Sequence, residues 1–520
     1  MSDDPLKASS GHNSDDDQGA SSAAEILLQE ILNGDYDLFH DQRLEPYLCY
    51  RELGVHTMRI GSDEFGIWLA RKYWQMKRKP LPNETESKVT ETLAGYARFE
   101  GIQMDLHIRY ASNDDGLWYD LGNGTAVNTD RKGWRLVGIP PVLFRRLPHQ
   151  KHQVIPEHDA DISRLRPYIN LSNDDDWLLF LVNLISVLIP GFPHPLLVLY
   201  GPQGAGKSTP MRVMKELLDP SQLQGLTMPN QVSELVQQAS HHGFIFYDNL
   251  SGLKGEMSDA LARASTGDGF SKRTLYTDDG DFIYVIQRSI ALNGINQVIT
   301  RPDLLDRSIL IKLERINPEA RLPEEEYWAA FNREKPYILG AMFDVLSDAM
   351  NLKHKVQLDK TPRMADFARW GCAIAVAAGY TQEAFLKAYF HNIGEQHHIA
   401  LEASPVAQAV IMLMKTQEKW SGTATELLSV LNDHPLTMDV TKHDRWPKNA
   451  VWMSRQLNIA EVNLAAIGIH IKQTVVGEGR VIHIFRSAGF DKFIDETTAK
   501  QTELLDNDDS IAVNTVSLDF

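Results

Sequence analysis

The sequence predicts a multidomain α/β protein in which a P-loop core is followed by a helical lid, with an N-terminal α+β module before them and a C-terminal winged-helix domain after them. Three observations predict it. The apolar run PLLVLY (195–200) leads directly into GPQGAGKST (201–209), a strand opening into a glycine-rich loop and a helix. Strand and helix patterns then alternate to about Leu313, in the manner of a parallel α/β core. From Pro318 to about Ala400 the apolar spacing is helical throughout.

A chain of 520 residues has room for several domains, at roughly 100–200 residues each. The expected boundaries are a disordered acidic tail over 1–22, the α+β module over 23–190, the core over 191–316, the lid over 317–403, the winged helix over 404–486 and a second acidic tail over 487–520. In the N-terminal module, EFGIWLARKYWQMKR (64–78) has helical spacing, and MDLHIRYA and GLWYDLGN alternate as strands do. The longest apolar run, Trp177 to Pro190, is shorter than a bilayer span of about 20 residues and reads as a buried helix. Cys49 and Cys372 are too few for a disulfide framework, and no secretory leader opens the chain, so the expectation is a cytoplasmic protein with no membrane partner.

The net charge of −17 argues against nucleic acid at first sight, because phosphate contacts need local Lys and Arg. Its distribution weakens the objection. Five aspartates against Lys7 in the first tail, and eight acids against Lys492 and Lys500 in the second, carry 10 of the 17 charges. The middle of the chain is only mildly acidic.

Gly201, Gly206, Lys207 and Ser208 satisfy GxxxxGK(S/T), and the whole loop Gly201, Pro202, Gln203, Gly204, Ala205, Gly206, Lys207, Ser208, Thr209 is the expected ATP-binding segment. Glycines let backbone N–H groups wrap phosphates, and the following helix adds its positive dipole end. Lys207 is expected on the β and γ phosphates and Ser208 on Mg²⁺. A second strand, FIFYDNL (244–250), places Asp248 at its carboxyl end, where α/β sheets put ligand groups, so Asp248 is expected on the magnesium side. Asn249 follows where many such ATPases have a Glu. An amide takes no proton but can orient water, which leaves the identity of the general base open, with Glu256 and Asp259 as candidates. A third strand, SIALNG, carries Asn293 toward the γ-phosphate or lytic water, and Arg307 ahead of a fourth strand, with Arg301 as second choice, is expected to complete a neighbour's site.

The order GPQGAGKST, FIFYDNL, SIALNG, TRPDLLDRS resembles the AAA+ core. It resembles more closely the helicase-like ATPases of phage, plasmid and chromosomal-island replication proteins, which are similar to superfamily 3 and MCM-type helicases. The likeness extends to DNLSGL (248–253), SDALARASTGDGFSKRTLYTDDGDF (258–282), RSIALNGI (288–295), GWRLVGIPPVLFRR (133–146) and WPKNA (446–450), covering about Tyr36 to Phe485. The resemblance implies a hexameric or similar ring with ATP and Mg²⁺ between subunits, arginine supplied in trans, and movement on single-stranded or forked DNA, with other replication proteins as possible partners. It makes 272–287 a β-hairpin turning at TDDGD (277–281), with Lys272 and Arg273 at its base as DNA contacts or as part of a subunit interface. Arg363 and Arg369 stand in the lid as second phosphate sensors or as surface residues.

After Ser404, helices over WSGTATELLSVLN and WPKNAVWMSRQLN, a short third helix and strands joined at 477–479 make winged-helix order, with Lys448, Arg455, Lys472 and Arg480 as the cations for DNA, or a partner-binding wing. ARKYWQMKRKP (70–80) suits single strands by stacking and charge, and equally suits an amphipathic helix with a solvated face. His241-His242 and His397-His398 lack Cys or carboxylate partners at metal-ligand spacing. The function expected is an ATP-driven helicase or replication initiator of a mobile element; the alternative is an ATPase that remodels a protein partner.

Overall fold

The computed structural model describes residues 15–52, 54–171, 173–267, 269–273, 281–295, 298–317, 319, 321–476 and 479–495. The chain begins with α1 (Asp15–Leu32), an antiparallel sheet of β1 (Tyr36–His40), β2 (Pro46–Tyr50) and β3 (His56–Arg59), and two helices, α2 (Asp63–Lys77) and α3 (Asn83–Phe99). Leu27, Ile31, Leu48, Phe65, Leu69, Val89 and Leu93 form their common core. Short strands β4 (Leu106–His107) and β9 (Leu143–Phe144) pair in parallel around an antiparallel meander of β5 (Tyr110–Asn113), β6 (Gly116–Asp120), β7 (Ala126–Asp130) and β8 (Gly133–Val137).

The central unit follows α4 (Asp174–Ser186). It comprises β10 (Leu196–Tyr200), α5 (Ser208–Leu218), α6 (Val232–Ala239), β11 (Phe244–Leu250), α7 (Gly255–Thr266), the hairpin β12 (Gly269–Arg273) and β13 (Asp281–Val285), β14 (Ser289–Gly294), α8 (Pro302–Leu305) and β15 (Ser308–Lys312). The four long strands make a parallel sheet in the order β11-β14-β10-β15. Two-residue periodicity sends Leu197, Leu199, Phe246, Ala291 and Ile311 to one core and Leu196, Val198, Ile245, Leu292 and Leu310 to the other. Both faces are therefore covered, as a parallel sheet requires. The apolar helix α4 is buried on every side within the first of these cores, which it shares with β10, α5 and the lid. The expected boundary at residue 190 consequently crosses continuous packing.

The segment expected as a lid consists of α9 (Glu324–Leu352), α10 (Ala365–Ala377) and α11 (Gln382–Glu402). The C-terminal unit is α12 (Pro405–Thr416), β16 (Lys419–Gly422), α13 (Ala424–Asp433), α14 (Ala450–Ala466), β17 (Ile469–Val476) and β18 (Gly479–Arg486), with sheet order β16-β18-β17. Here the structure corrects the helix expected over WSGTATELLSVLN: Lys419–Gly422 is a strand paired to β18, and the helix starts only after Thr423, whose capping box with Glu426 fixes its first turn. Among the described residues no separate third helix stands between α14 and β17, because α14 runs unbroken to Ala466.

The tails differ in part from the disordered segments expected. Helix α1 already begins at Asp15, and residues 488–495 are helical, with Phe490 buried in the C-terminal core. Residues 1–14 and 496–520, and the hairpin turn at 277–280, lie outside the described residues. Among the described residues no single helix is long and apolar enough to cross a membrane.

Two buried histidines make the fold acid-sensitive. Burial pushes His194 down to about 4, and burial with the nearby Lys215 ammonium pushes His242 down to about 3, from an ordinary value of 6.5. Between 6.5 and those values the unfolded chain binds protons that the folded one refuses, so stability falls as pH falls. Each histidine contributes a slope of about 1.4 kcal/mol per pH unit in its window. Thermal unfolding is therefore expected at a clearly lower temperature at pH 5 than at pH 7, with the difference reduced in His194→Gln. Equal midpoints at the two pH values contradict the assignment.

Candidate active site

The glycine-rich loop joins β10 to α5 at the carboxyl edge of the parallel sheet. Gly201, Gly204 and Gly206 have φ of 151°, 84° and 69°, a backbone that L side chains avoid. At Gly201 a Cβ would meet the Leu313 carbonyl oxygen at 2.2 Å, so the loop is packed directly on the end of β15. The Asn170 amide donates to the carbonyls of Ala205 (3.1 Å) and Glu314 (3.2 Å), and Ile316 N–H donates to the Gly204 carbonyl (3.3 Å). Pro202 accepts from Ala205 N–H at 3.3 Å and Gly206 from Thr209 N–H at 3.1 Å, and Gln203 lies exposed at the loop's tip. The Lys207 ammonium donates to the carbonyls of Gly201 (2.9 Å) and Pro202 (2.8 Å), curling back across the loop. Partial burial lowers its pKa, and the Asp248 carboxylate opposes that shift.

Beneath the loop four polar groups from three elements are linked. The Ser208 hydroxyl donates to Asp248 Oδ1 at 3.0 Å, the Asn293 amide donates to Ser208 Oγ at 3.4 Å, and Asn249 N–H donates to Asn293 Oδ1 at 2.6 Å. Asn293 is 1% exposed, so this amide is a buried bridge between the ends of β11 and α5. The pairing of β11 with β14 slips between Tyr247 and Leu250, and the irregularity turns Asp248 toward Ser208. Asn249 adopts the left-handed conformation (φ 57°). That accounts for the residue: Asn tolerates this conformation, whereas a Glu would carry about 1–2 kcal/mol of strain.

The remaining candidates fall elsewhere. Arg307 is level with Leu196, whose N–H donates to its carbonyl at 2.8 Å, whereas the loop follows Tyr200 at the other end of the strand. Five residues of strand put it about 15 Å from the loop of its own chain. There it pairs with Asp303, which Arg363 also holds at 2.7 Å, while Arg363 reaches Asp306 at 3.0 Å. Arg363 is thus committed to the arginine turn and is not arranged as a sensor over its own loop; Arg369 is exposed on α10. Arg301 pairs with Asp259 at 3.0 Å, so Asp259 is engaged there, and Glu256 lines a cavity of about 180 Å³ with Met228 and Asn230. Lys272 and Arg273 occupy the hairpin strand β12 opposite Phe282 and Asp281. Lys448 is exposed ahead of α14, and Arg480 is exposed on β18 opposite Val475.

Sequence reasoning missed Asn170, and it missed Arg315 and Arg321, whose guanidinium groups lie 3.7 Å and 3.3 Å from where a Gly204 Cβ would stand. It also missed a buried ionic joint at the far end of α5. Asp219 accepts from Arg109 (3.1 Å) and Lys215 (2.7 Å), and from Gly243 N–H at 3.0 Å. Burial opposes its ionisation, but Lys215 and Arg109 outweigh that and hold the carboxyl far below the usual range. The one available signal was the i,i+4 spacing of Lys215 and Asp219 at the end of α5, where Asp219 is the C-cap residue. Among the described residues no cluster of three or more His, Cys, Asp or Glu is placed to hold a metal ion.

The model of a family described as "Actinomycete integrative conjugative element replication protein" matches residues 162–395, and that of the "AICE RepA C-terminal domain" matches 406–500. No curated protein matches the chain. Among solved structures, "The A form apo structure of NrS-1 C terminal region-CTR" aligns at 9% identity over 89% of this chain and 98% of that one, with a TM-score of 0.41. A JCV helicase bound to a small acetamide compound aligns at 13% identity over 43% and 66% of the two chains, with a TM-score of 0.19. Both scores are too low to establish a shared fold. The first family match starts at the 3₁₀ turn before α4 and ends within α11, so it spans the sheet, the loop and the lid as the packing joins them. Two successive stretches of the chain are thus similar to the models of actinomycete integrative conjugative element replication proteins, residues 162–395 to the first and 406–500 to the C-terminal one.

Proposed function

We propose that the protein is an ATP-hydrolysing, ring-forming DNA helicase or replication initiator of a mobile element, with an AAA+ P-loop core and a C-terminal winged helix. The observation that carries this reading is the hydrogen-bonded chain Ser208–Asp248, Ser208–Asn293, Asn293–Asn249 beneath a glycine loop. The residues present fit ATP and Mg²⁺: the positive-φ loop has no Cβ at Gly201, Gly204 or Gly206 to block a phosphate, and Ser208 and Asp248 supply the hard oxygen donors magnesium prefers. One hydroxyl and one carboxylate suffice where phosphate and water complete the octahedron. Bound Mg·ATP supplies the scissile phosphoanhydride and a Lewis acid.

This chain's own residues divide the remaining work. Lys207 leaves the Gly201 and Pro202 carbonyls to pair with phosphate, Ser208 and Asp248 hold the cation, and Asn293 keeps Asn249 fixed so that its side chain orients water. Arg307 serves a neighbouring subunit, since its own loop is out of reach. The order α12, β16, α13, α14, β17, β18 supports the winged-helix reading, with Arg480 on the wing and Lys448 at the helix start. Lys272 and Arg273 are the hairpin's contribution to DNA.

The test is ATP turnover with and without a (dT)30 strand, together with strand displacement from a forked duplex. Several-fold stimulation and ATP-dependent displacement are expected. Hydrolysis indifferent to DNA, with no displacement, points instead to a protein-remodelling ATPase.

A further inference from the structure

A groove of about 970 Å³ runs between the Thr300–Asp303 turn of the core, the end of α11 and one face of α14 from Trp452 to Asn463. Its lining is at odds with the chain's overall charge. Arg301, Arg445, Lys448 and Arg455 face it against Asp303 and Asp444, four cations to two acids in a protein of net charge −17. Arg301 is held by Asp259 and Asp303 by Arg307 and Arg363, whereas Arg445, Lys448 and Arg455 make no ion pair among the described residues. Trp452 stands 51% exposed on the α14 wall with the Arg455 guanidinium 5.8 Å from its ring, and Trp446 is anchored nearby by its indole N–H to Asn432 at 2.9 Å.

An exposed indole beside unpaired cations is what a single strand needs, because bases stack on aromatic faces while phosphates meet Lys and Arg. The same α14 is poorly suited to reading a duplex. Away from the groove its most exposed apolar positions are Val451 and Val462, 78% and 64% exposed, which offer base edges no hydrogen bonds. We propose that this groove binds single-stranded DNA, with bases stacked on Trp452 and phosphates on Arg445, Lys448 and Arg455; the proposal rests on the DNA-directed function above and names a site for it. One wall of the groove is the turn whose Asp303 holds Arg307, so a strand lying there touches the element that carries the trans arginine. That places DNA occupancy next to the group on which a neighbour's hydrolysis depends.

The experiment is fluorescence anisotropy of a labelled (dT)20 strand with the full chain, repeated over a salt series. Trp452→Ala is expected to weaken binding about 10-fold or more, as loss of a stacked base does, and Trp452→Phe to restore most of it. Arg445→Gln with Lys448→Gln is expected to flatten the dependence of log Kd on log salt by about 1.4, two contacts at about 0.7 each. In the wild type, irradiation of a strand carrying 5-iododeoxyuridine is expected to crosslink Trp446 or Trp452, a readout independent of how the variants fold. A wild type that binds no (dT)20 overturns the DNA-directed function itself. A wild type that binds, with all variants equal to it and crosslinks confined elsewhere, overturns the groove alone. So does a 20-base-pair duplex that binds as tightly and suffers equally from Trp452→Ala, or poly-glutamate that displaces the strand at equal charge concentration, which assigns the groove to an acidic polypeptide.

Discussion

Arg307→Ala is expected to slow ATP hydrolysis by about 10³-fold or more while leaving ATP affinity within a few fold, the signature of a group that acts on transition-state charge. The placement of Arg307 makes the prediction specific. It lies at the opposite end of β15 from the loop its own chain contributes, so in the proposed ring its loss is expected to act across a subunit boundary. Mixing Lys207→Ala chains with Arg307→Ala chains therefore restores hydrolysis at hybrid interfaces, where an intact Lys207 meets an intact Arg307. No restoration in a confirmed mixed assembly contradicts a trans arginine. Because Arg307 also pairs with Asp303, thermal melts of the variant separate lost catalysis from a loosened turn. Arg301→Ala is expected to cost far less, since Asp259 already holds that guanidinium within its own core.

Asp219→Ala is expected to destabilise the protein by about 3–5 kcal/mol, because it strands two buried cations, Arg109 and Lys215, without their counter-ion. Against a total stability of about 5–15 kcal/mol this is a large fraction. The joint also bears on the candidate site. Lys215 donates to the Phe244 carbonyl at 2.7 Å, so it ties the end of α5 to the start of β11, the two elements whose other ends bring Ser208 to Asp248. Arg109 adds bonds to the carbonyls of Asp120, Lys151 and Pro220, which lock the meander onto the same point. Urea unfolding checks the prediction through its midpoint. A paired Lys215→Met, Asp219→Leu variant is expected to recover part of the loss, because no lysine charge is then left buried alone. A midpoint for Asp219→Ala close to the wild type contradicts the assignment.

The parallel sheet was legible because each of its strands is a short apolar run ending at a glycine or a polar residue: Leu199 and Tyr200 before Gly201, Tyr247 before Asp248, Leu292 before Asn293. Those endings also named the residues that the fold brings together under the loop. Three features were not legible for physical reasons. The partners of Arg109 lie up to 111 residues away, and no local pattern marks a buried ion pair formed over that distance. Asn170 stabilises the loop through backbone carbonyls, which carry no side-chain signature at all. The β16 strand is too short for alternation to register, and only its edge pairing with β18 makes it a strand. Asn249 is the instructive case: chemistry alone suggests Glu at that position, and the left-handed backbone of the bulge favours Asn.

The glycine loop and the Ser208–Asp248 pair are proposed to form a site for Mg·ATP hydrolysis. Steady-state phosphate release by the full chain, measured beside Lys207→Ala under identical Mg²⁺ and ATP, tests it most directly. The wild type is expected to turn ATP over and the variant to fall to background with its fold intact by circular dichroism. Equal phosphate release by the two proteins contradicts the account.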